Sequence, residues 1–389
     1  MDASALYSKK LVDKDQYRAL LVGQYGSSYF PDKVNQEESL RELQRLSETA
    51  GVRSIFEIFL NHIHIHPSMF FSQGQLDKIK DALENHTLNI LIVDAQLKPN
   101  QLRNLEEHFK IRVLGRIEII LDIFAMRAKT REAILQVELA QLSYILPRLK
   151  GLGGVLSRQG SVGTPGIGTR GPGETMLETD RRHVRKRIQK IRDDIEQVKR
   201  HRANTRQGRS IMTYALVGYT NAGKSSVLNA LSSTSQKVFA EDKLFATLDS
   251  FSRKIYLGEV NYKPEYAIVT DTVGFIRNLP ASLVVAFQST LDEISFSDVI
   301  IEIHDASSGQ LEAEMNVVQA ELDRLNLGGK KRIVFFNKDD LIFESNKNNL
   351  RKKFPQAIWG NTLSKEGVAD LRQEIFNRLT ESVQRNHGQ

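Results

Sequence analysis

Gly218-Tyr219-Thr220-Asn221-Ala222-Gly223-Lys224-Ser225 is the stretch that decides the fold of the C-terminal half. Its spacing is G-x-x-x-x-G-K-[ST]; the apolar run Thr213 to Val217 before it reads as a strand, and Ser226 to Leu231 after it reads as a helix. The glycines let backbone N–H groups close around phosphate oxygens, and the helix N-terminus adds a favourable dipole. Lys224 is expected against the β- and γ-phosphates and the Ser225 hydroxyl on Mg²⁺, with Gly218, Asn221, Ala222, Gly223 and Ser226 completing the nucleotide cradle.

Downstream, strands are expected at Lys254 to Val260, Tyr266 to Thr270, Val299 to His304, Arg332 to Phe336 and Gln356 to Trp359, alternating with helices. Their Val, Ile and Phe runs suit strands covered on both faces. Two strand ends carry chemistry. Asp271-Thr272-Val273-Gly274 places a carboxylate within reach of Mg²⁺ and a backbone N–H toward the γ-phosphate. Asn337-Lys338-Asp339-Asp340 places a carboxylate, Asp340, to accept side by side from guanine N1–H and the exocyclic amine, donors that adenine lacks in that arrangement. Asn337 bridges to the base edge or the phosphate loop, and Lys338 covers the ring. GTP is therefore the expected substrate.

Thr247, in Leu244-Phe245-Ala246-Thr247-Leu248-Asp249, is the candidate switch threonine for Mg²⁺ and γ-phosphate; a buried Thr in a short strand is the competing reading. Phe275 follows Gly274, where Ras-like small GTPases carry a water-positioning glutamine, so slow unaided hydrolysis is expected, with Lys224, Thr247 and Gly274 as the catalytic set. Asn221 sits where some glutamine-lacking GTPases hold K⁺, which makes K⁺ dependence a further expectation.

Working toward the N-terminus, Leu135, Leu139, Leu142, Leu146 and Leu149 recur at +4, +3, +4, +3, and Val184, Ile188, Ile191, Ile195 and Val198 repeat the rhythm. Two such seams predict an antiparallel helical hairpin. Residues 151–173 between them hold nine of the chain's 25 glycines, and Arg181, Arg182, Arg185, Lys186, Arg187 and Lys190 follow. Residues 151–210 carry 14 Lys and Arg against 6 Asp and Glu, so a net of +8 sits in one segment of a chain whose total is +7. A polyanion partner is expected there, with the glycine loop ordering on it. Asn204 to Ser210 reads as a linker. Ahead of the hairpin, short apolar runs (Ala19 to Val22, Ser54 to Leu60, Leu88 to Val93) alternate with amphipathic stretches (Gln36 to Leu46, Gln75 to Leu83), a pattern for a mostly parallel sheet with helical crossovers.

The expected architecture is thus α/β: residues 1–110 an α/β domain, 111–205 the hairpin with its glycine loop, and 206–389 a Ras-like P-loop GTPase domain. The absence of cysteine removes disulfides and thiolate chemistry and fits a reducing, cytoplasmic location. No apolar window is long enough to span a membrane and no secretory signal is read at the N-terminus. A monomer is expected. His62-Ile63-His64-Ile65-His66 alternates as a strand would, with imidazoles on one face; an outward polar stripe competes with a zinc site there.

Gly166-Ile-Gly-Thr-Arg-Gly-Pro-Gly-Glu174, followed by Leu177-Glu-Thr-Asp-Arg-Arg182, joins the glycine loop to the basic helix in a pattern that general nucleotide-binding proteins lack. With Asp122-Ile-Phe-Ala125, Gln136-Val-Glu-Leu-Ala-Gln-Leu142 and Phe245-Ala246-Thr247, it resembles the HflX family of ribosome-associated GTPases over essentially the full length. The resemblance implies binding to the large ribosomal subunit and its rRNA near the peptidyl-transferase centre, with splitting or rescue of stalled ribosomes under stress. Two departures stand out. Ser72-Gln73-Gly74-Gln75 replaces a Gly-x-Gly-Lys segment, which weighs against a second nucleotide site in the N-terminal domain, and Asn361-Thr362-Leu363 replaces the Ser-Ala-Lys loop behind the base. Two functions stay open: a ribosome-stimulated GTP hydrolase, or a GTP-regulated RNA-binding factor in ribosome assembly whose hydrolysis is incidental.

Overall fold

The computed structural model describes residues 17–25, 33–61, 64–148, 172–206, 211–232, 244–245, 247–260, 262–277, 283, 285–363 and 366–387. Residues 151–171 of the glycine loop, His62 and Ala246 lie outside these. The chain divides into two units, one built on residues 1–126, 134–199 and 280–286, the other on 127–133, 200–279 and 287–389.

The first unit begins with β1 (Arg18–Tyr25), α1 (Lys33–Thr49), β2 (Arg53–Asn61), α2 (Gln73–Asn85), β3 (Ile90–Val93), α3 (Pro99–Phe109), β4 (Arg112–Gly115) and α4 (Arg116–Arg127). The strands lie in the order β2-β1-β3-β4 and are all parallel. β3, Ile90-Leu-Ile-Val93, is buried at every residue, as a central parallel strand covered on both faces must be. Ile79 and Leu83 of α2 and Leu105 of α3 close one face over Leu20, Val22, Leu91 and Val93. β4 lies past the expected edge at residue 110. Four residues are too few to show a period, so its strand character comes from pairing with β3 rather than from pattern.

At Ser72-Gln73-Gly74-Gln75 the structure gives a structural reason for the departure. The Ser72 N–H donates to Gln75 Oε1 (2.8 Å) at the start of α2, and Gln75 Nε2 donates to the Asn61 carbonyl (2.5 Å), fixing the end of β2. The histidine stripe does not continue the strand. β2 ends at Asn61, His64 is exposed in a bend, and His66 Nδ1 accepts from the Met69 N–H (3.0 Å) in a local turn. Pro67 explains the turn, since it cannot donate to a ladder.

The hairpin helices are α5 (Arg131–Ile145) and α6 (Pro172–Arg206). Leu135, Leu139 and Leu142 pack with Val184, Ile188, Ile191 and Ile195, and Arg187 reaches across to Glu138 (2.7 Å). α5 stops at Ile145, ahead of Pro147; Leu146 joins the cluster from the following turn, and Leu149 lies outside the described residues. α6 continues through Arg206, so Asn204 to Arg206 is helical rather than linker. No Gly or Pro occurs there before Gly208, and nothing local stops the helix.

The second unit comprises β5 (Thr213–Gly218), α7 (Lys224–Leu231), β6 (Phe251–Val260), β7 (Lys263–Asp271), α8 (Gln288–Phe296), β8 (Val299–Asp305), α9 (Leu311–Arg324), β9 (Lys331–Asn337), α10 (Glu344–Lys353), β10 (Ile358–Trp359) and α11 (Ala369–His387). Strand order is β10-β9-β8-β5-β7-β6, parallel except for β6. β6 and β7 form a hairpin with no helix between them, a departure from strict strand–helix alternation. Tyr214, Leu216, Val299, Ile301, Ile303, Ile333 and Phe335 form the sheet core, with Leu371, Ile375 and Leu379 of α11 over one face. Each such buried side chain contributes about 1.5–3 kcal/mol. The topology then puts the ends of β5, β7, β8 and β9 along one edge, with the order reversing beside β5, where ligands of open α/β sheets bind.

Candidate functional site: a nucleotide crevice at the sheet edge

β5 ends at Gly218, and the turn to α7 passes close under its neighbours. A Cβ on Gly218 would lie 2.1 Å from the Ile303 carbonyl oxygen of β8. Gly223 has φ +93°, and a Cβ there would meet Asn337 Nδ2 at 2.1 Å. The two motif glycines are thus required by contact with β8 and with the end of β9.

Lys224 opens α7 and is buried; its ammonium donates to the carbonyls of Tyr219 (2.8 Å) and Gly218 (3.2 Å). Burial pushes its pKa down to about 8, partly opposed by the Asp271 carboxylate. An ammonium with so little water around it gains strongly from an added polyanion.

Ser225, Thr247 and Asp271 converge. Ser225 Oγ donates to Asp271 Oδ2 (2.6 Å) and lies 2.8 Å from Thr247 Oγ1. Asp271 is fully buried at the end of β7, and burial raises its pKa against the opposing pull of the Ser225 hydroxyl and Lys224. Its Oδ1 has no hydrogen-bond partner among the described residues. An all-oxygen set, two of its three residues buried, with a carboxylate oxygen left unsatisfied fits a hard divalent cation such as Mg²⁺. Thr247 lies outside any strand: β6 begins only at Phe251, so the reading of a Thr in a short strand is overturned.

Beyond Asp271 the chain turns back over the phosphate loop. The Phe275 N–H donates to the Gly218 carbonyl (3.1 Å), and the Thr220 N–H donates to the Phe275 carbonyl (2.8 Å). Gly274 lies so close that a Cβ would be 2.7 Å from Thr220 Cα and 2.8 Å from Lys224 Nζ. The Phe275 ring is buried, so it offers nothing to a water molecule.

At the end of β9, Asn337 Nδ2 donates to the Ala222 carbonyl (2.9 Å), and Lys338, at φ +61°, donates to the Asn221 carbonyl (3.1 Å) and to Asp305 Oδ2 (2.7 Å) at the end of β8. The guanine-motif side chains therefore brace the phosphate loop, and Asn337 takes the loop-bridging option of its two readings. Asp339 is engaged by Lys347 (2.5 Å) and Asn361 Nδ2 (3.2 Å), whereas Asp340 is exposed. Asn361 and Thr362 are half-buried, with Asn361 N–H on the Gly367 carbonyl (3.0 Å). Asp305, which steers Lys338, is a site residue that the sequence reading missed. Its only sequence signal is its position at the end of a central strand.

A parallel-sheet crevice with a lysine-bearing phosphate loop, a converging Ser–Thr–Asp oxygen set and an Asn-Lys-x-Asp strand end defines a P-loop GTPase, a hydrolase of GTP to GDP and phosphate. The sequence matches the families described as GTP-binding GTPase N-terminal (residues 37–125), GTP-binding GTPase Middle Region (127–209) and 50S ribosome-binding GTPase (213–338). It is 44% identical over 332 residues to the GTPase HflX of Caldanaerobacter subterraneus subsp. tengcongensis, covering 85% of this chain and 74% of that protein. Against the GTPase HflX of Escherichia coli it is 37% identical over 360 residues, covering 91% and 82%. The chain belongs to the HflX GTPase family. The solved SsGBP–GDP complex shares the fold at a TM-score of 0.51 and 24% identity, covering 94% of this chain and 98% of that one.

Proposed function

We propose that the protein couples GTP binding and hydrolysis to association with the large ribosomal subunit and its rRNA, splitting or rescuing stalled ribosomes as a monomer in the cytoplasm. The observation that carries this reading is the outer face of α6. Arg182, Arg185, Lys186 and Lys190 are exposed on the side away from the Val184–Ile188–Ile191 seam, directly after the glycine loop. Arg187 is engaged by Glu138 and Arg181 lies against Glu178 (3.4 Å), so the phosphate-binding role falls to the other four. Charge of this density suits a nucleic-acid backbone, and the family description of residues 213–338 names the same partner class.

Within the site, Lys224 and the N–H groups of the loop hold the phosphates, Gly274 N–H meets the γ-phosphate, and Asp340 accepts from the guanine edge. The Lys338 stem and Asn361-Thr362 flank the base. Ser225, Thr247 and Asp271 would hold Mg²⁺, which supplies neutralisation of phosphate charge when bound. Asn221 would serve a K⁺ ion. The buried Phe275 ring leaves water unpositioned by that residue, which supports slow unaided turnover and keeps alive a second reading, a GTP-regulated assembly factor. Cosedimentation with large subunits in a non-hydrolysable GTP analogue against GDP tests the proposal, together with GTP turnover with and without subunits. Binding that ignores the nucleotide would overturn it; preference for precursor particles without stimulation of turnover would favour the second reading.

A further inference from the structure

Two residues past Thr247, the Asp249 carboxylate leaves the nucleotide crevice and grips the start of another element. Its Oδ2 accepts from the backbone N–H groups of Lys129 (3.0 Å) and Thr130 (3.2 Å), and its Oδ1 accepts from the Thr130 hydroxyl (2.5 Å). That hydroxyl in turn accepts from the Ala133 N–H (3.2 Å), the bond by which an N-cap threonine closes a helix. Thr130 is the residue immediately before α5, the first hairpin helix. Asp249 is 6% exposed and Thr247 7%, so neither contact is a surface accident. A carboxylate accepting from two backbone N–H groups and the N-cap hydroxyl at a helix N-terminus is among the stronger local anchors a short irregular segment can have.

The other anchor of the segment is β6, whose first residue, Phe251, pairs with Asp271. Thr247 must meet Ser225 and Asp271 to within a few tenths of an ångström, yet it lies outside any strand or helix. The Asp249 contact supplies a hydrogen-bonded fixed point two residues from it.

We infer that Asp249 is a positioning residue for GTP hydrolysis: by capping α5 through Lys129 and Thr130 it holds the Thr247 hydroxyl at Ser225 and Asp271. The inference rests on the reading of Thr247 as the switch threonine. It also makes the first turn of the hairpin helix part of the switch. Release of Thr247 after hydrolysis draws Asp249 from the helix end, and loosening of the helix end releases Thr247, because coupling of two sites through one equilibrium is reciprocal. Thr130 contributes without touching nucleotide.

The test is steady-state GTP turnover by the full chain carrying Asp249→Ala, Asp249→Asn, Thr130→Val or Thr247→Ala, with amide hydrogen exchange of residues 129–133 in GDP and in a non-hydrolysable GTP analogue. Loss of a cap of this kind shifts the held population by roughly 3- to 30-fold. Asp249→Ala and Thr130→Val are expected to lower kcat by about that factor, with KM for GTP changed less than roughly 2-fold. Asp249→Asn, which keeps an acceptor oxygen and caps helices well, restores most of the rate. In the parent protein the GTP analogue protects amides 129–133 more than GDP does, and Asp249→Ala abolishes the difference. Undiminished kcat in Asp249→Ala while Thr247→Ala is inactive overturns the inference and leaves the switch threonine standing. Full activity of Thr247→Ala removes the switch assignment itself. Equal loss of thermal stability and of kcat in Asp249→Ala and Asp249→Asn, with amides 129–133 exchanging faster by the same factor in both nucleotides, reduces the contact to a structural role and also overturns the inference.

Discussion

Asp339 and Asp340 are adjacent carboxylates with opposite surroundings, and exchanging each for its amide separates recognition from scaffolding. Asp339 is held by Lys347 and Asn361; Asp340 is exposed at the same turn, with its acceptor capacity turned outward. Asp340→Asn therefore costs the fold little and the ligand much. Two hydrogen bonds to a charged acceptor, at about 1.5–3 kcal/mol each, amount to a loss of roughly 10²- to 10⁴-fold in guanine nucleotide affinity. Xanthine presents an acceptor where guanine has its amine, so the amide's donor recovers binding to xanthine nucleotides. Asp339→Asn keeps an acceptor for Lys347, and its guanine affinity is expected to fall less than about 10-fold. Displacement of a fluorescent guanosine diphosphate by unlabelled GDP and XDP measures both variants. Retention of parental GDP affinity by Asp340→Asn, or a switch to xanthine by Asp339→Asn instead, would refute the assignment.

Three further outcomes are expected. Burial pushes the Asp122 carboxyl up to about 6, with Glu118 adding to the rise and Arg112 opposing it. Between pH 3.8 and about 6 the folded protein thus keeps a proton that the unfolded chain releases, and this group's contribution to stability falls as pH rises through that window. Asp122→Asn should gain about 1–3 kcal/mol at pH 7 and nothing below pH ~4 in urea melts; equal gains at both values would contradict the shift. Replacing Arg182, Arg185 and Lys186 by Ala should flatten the salt dependence of large-subunit binding by roughly 0.7–0.9 in log–log slope per lost phosphate contact, and an unaltered slope would mean that this face meets solvent. GTP turnover in KCl should exceed that in NaCl and lose the difference in Asn221→Ala; equal rates in the two salts for the parent protein would remove the K⁺ assignment.

The nucleotide crevice was legible because its chemistry dictates residue type at fixed spacing. Gly218, Gly223, Lys224, Ser225, Asp271 and Asn337 each answer to a local requirement that a reader of one chain can state. The hairpin seam was legible for a similar reason: Leu135, Leu139, Val184 and Ile191 advertise a helical period. What escaped notice depends on partners distant in sequence. Asp249 reads as one more polar residue after Thr247, yet its partner Thr130 lies 119 positions away. Asp305 ends a strand whose role emerges only when Lys338 reaches it. β4 and the β6–β7 pairing were missed because four residues carry no period and neither strand run shows which run it pairs with. The histidine alternation misled because period two was read through a proline-bearing turn.

Asn337 Nδ2 holds the Ala222 carbonyl and Lys338 Nζ holds the Asn221 carbonyl together with Asp305, so the residues proposed to accompany base selection also keep the phosphate loop in shape. With Asp340 as the proposed selector, preference for one purine over another can drift through a single exposed carboxylate while Asn337 and Lys338 stay fixed. Altering Asn337 or Lys338 is therefore expected to disturb the phosphate loop before it changes the base.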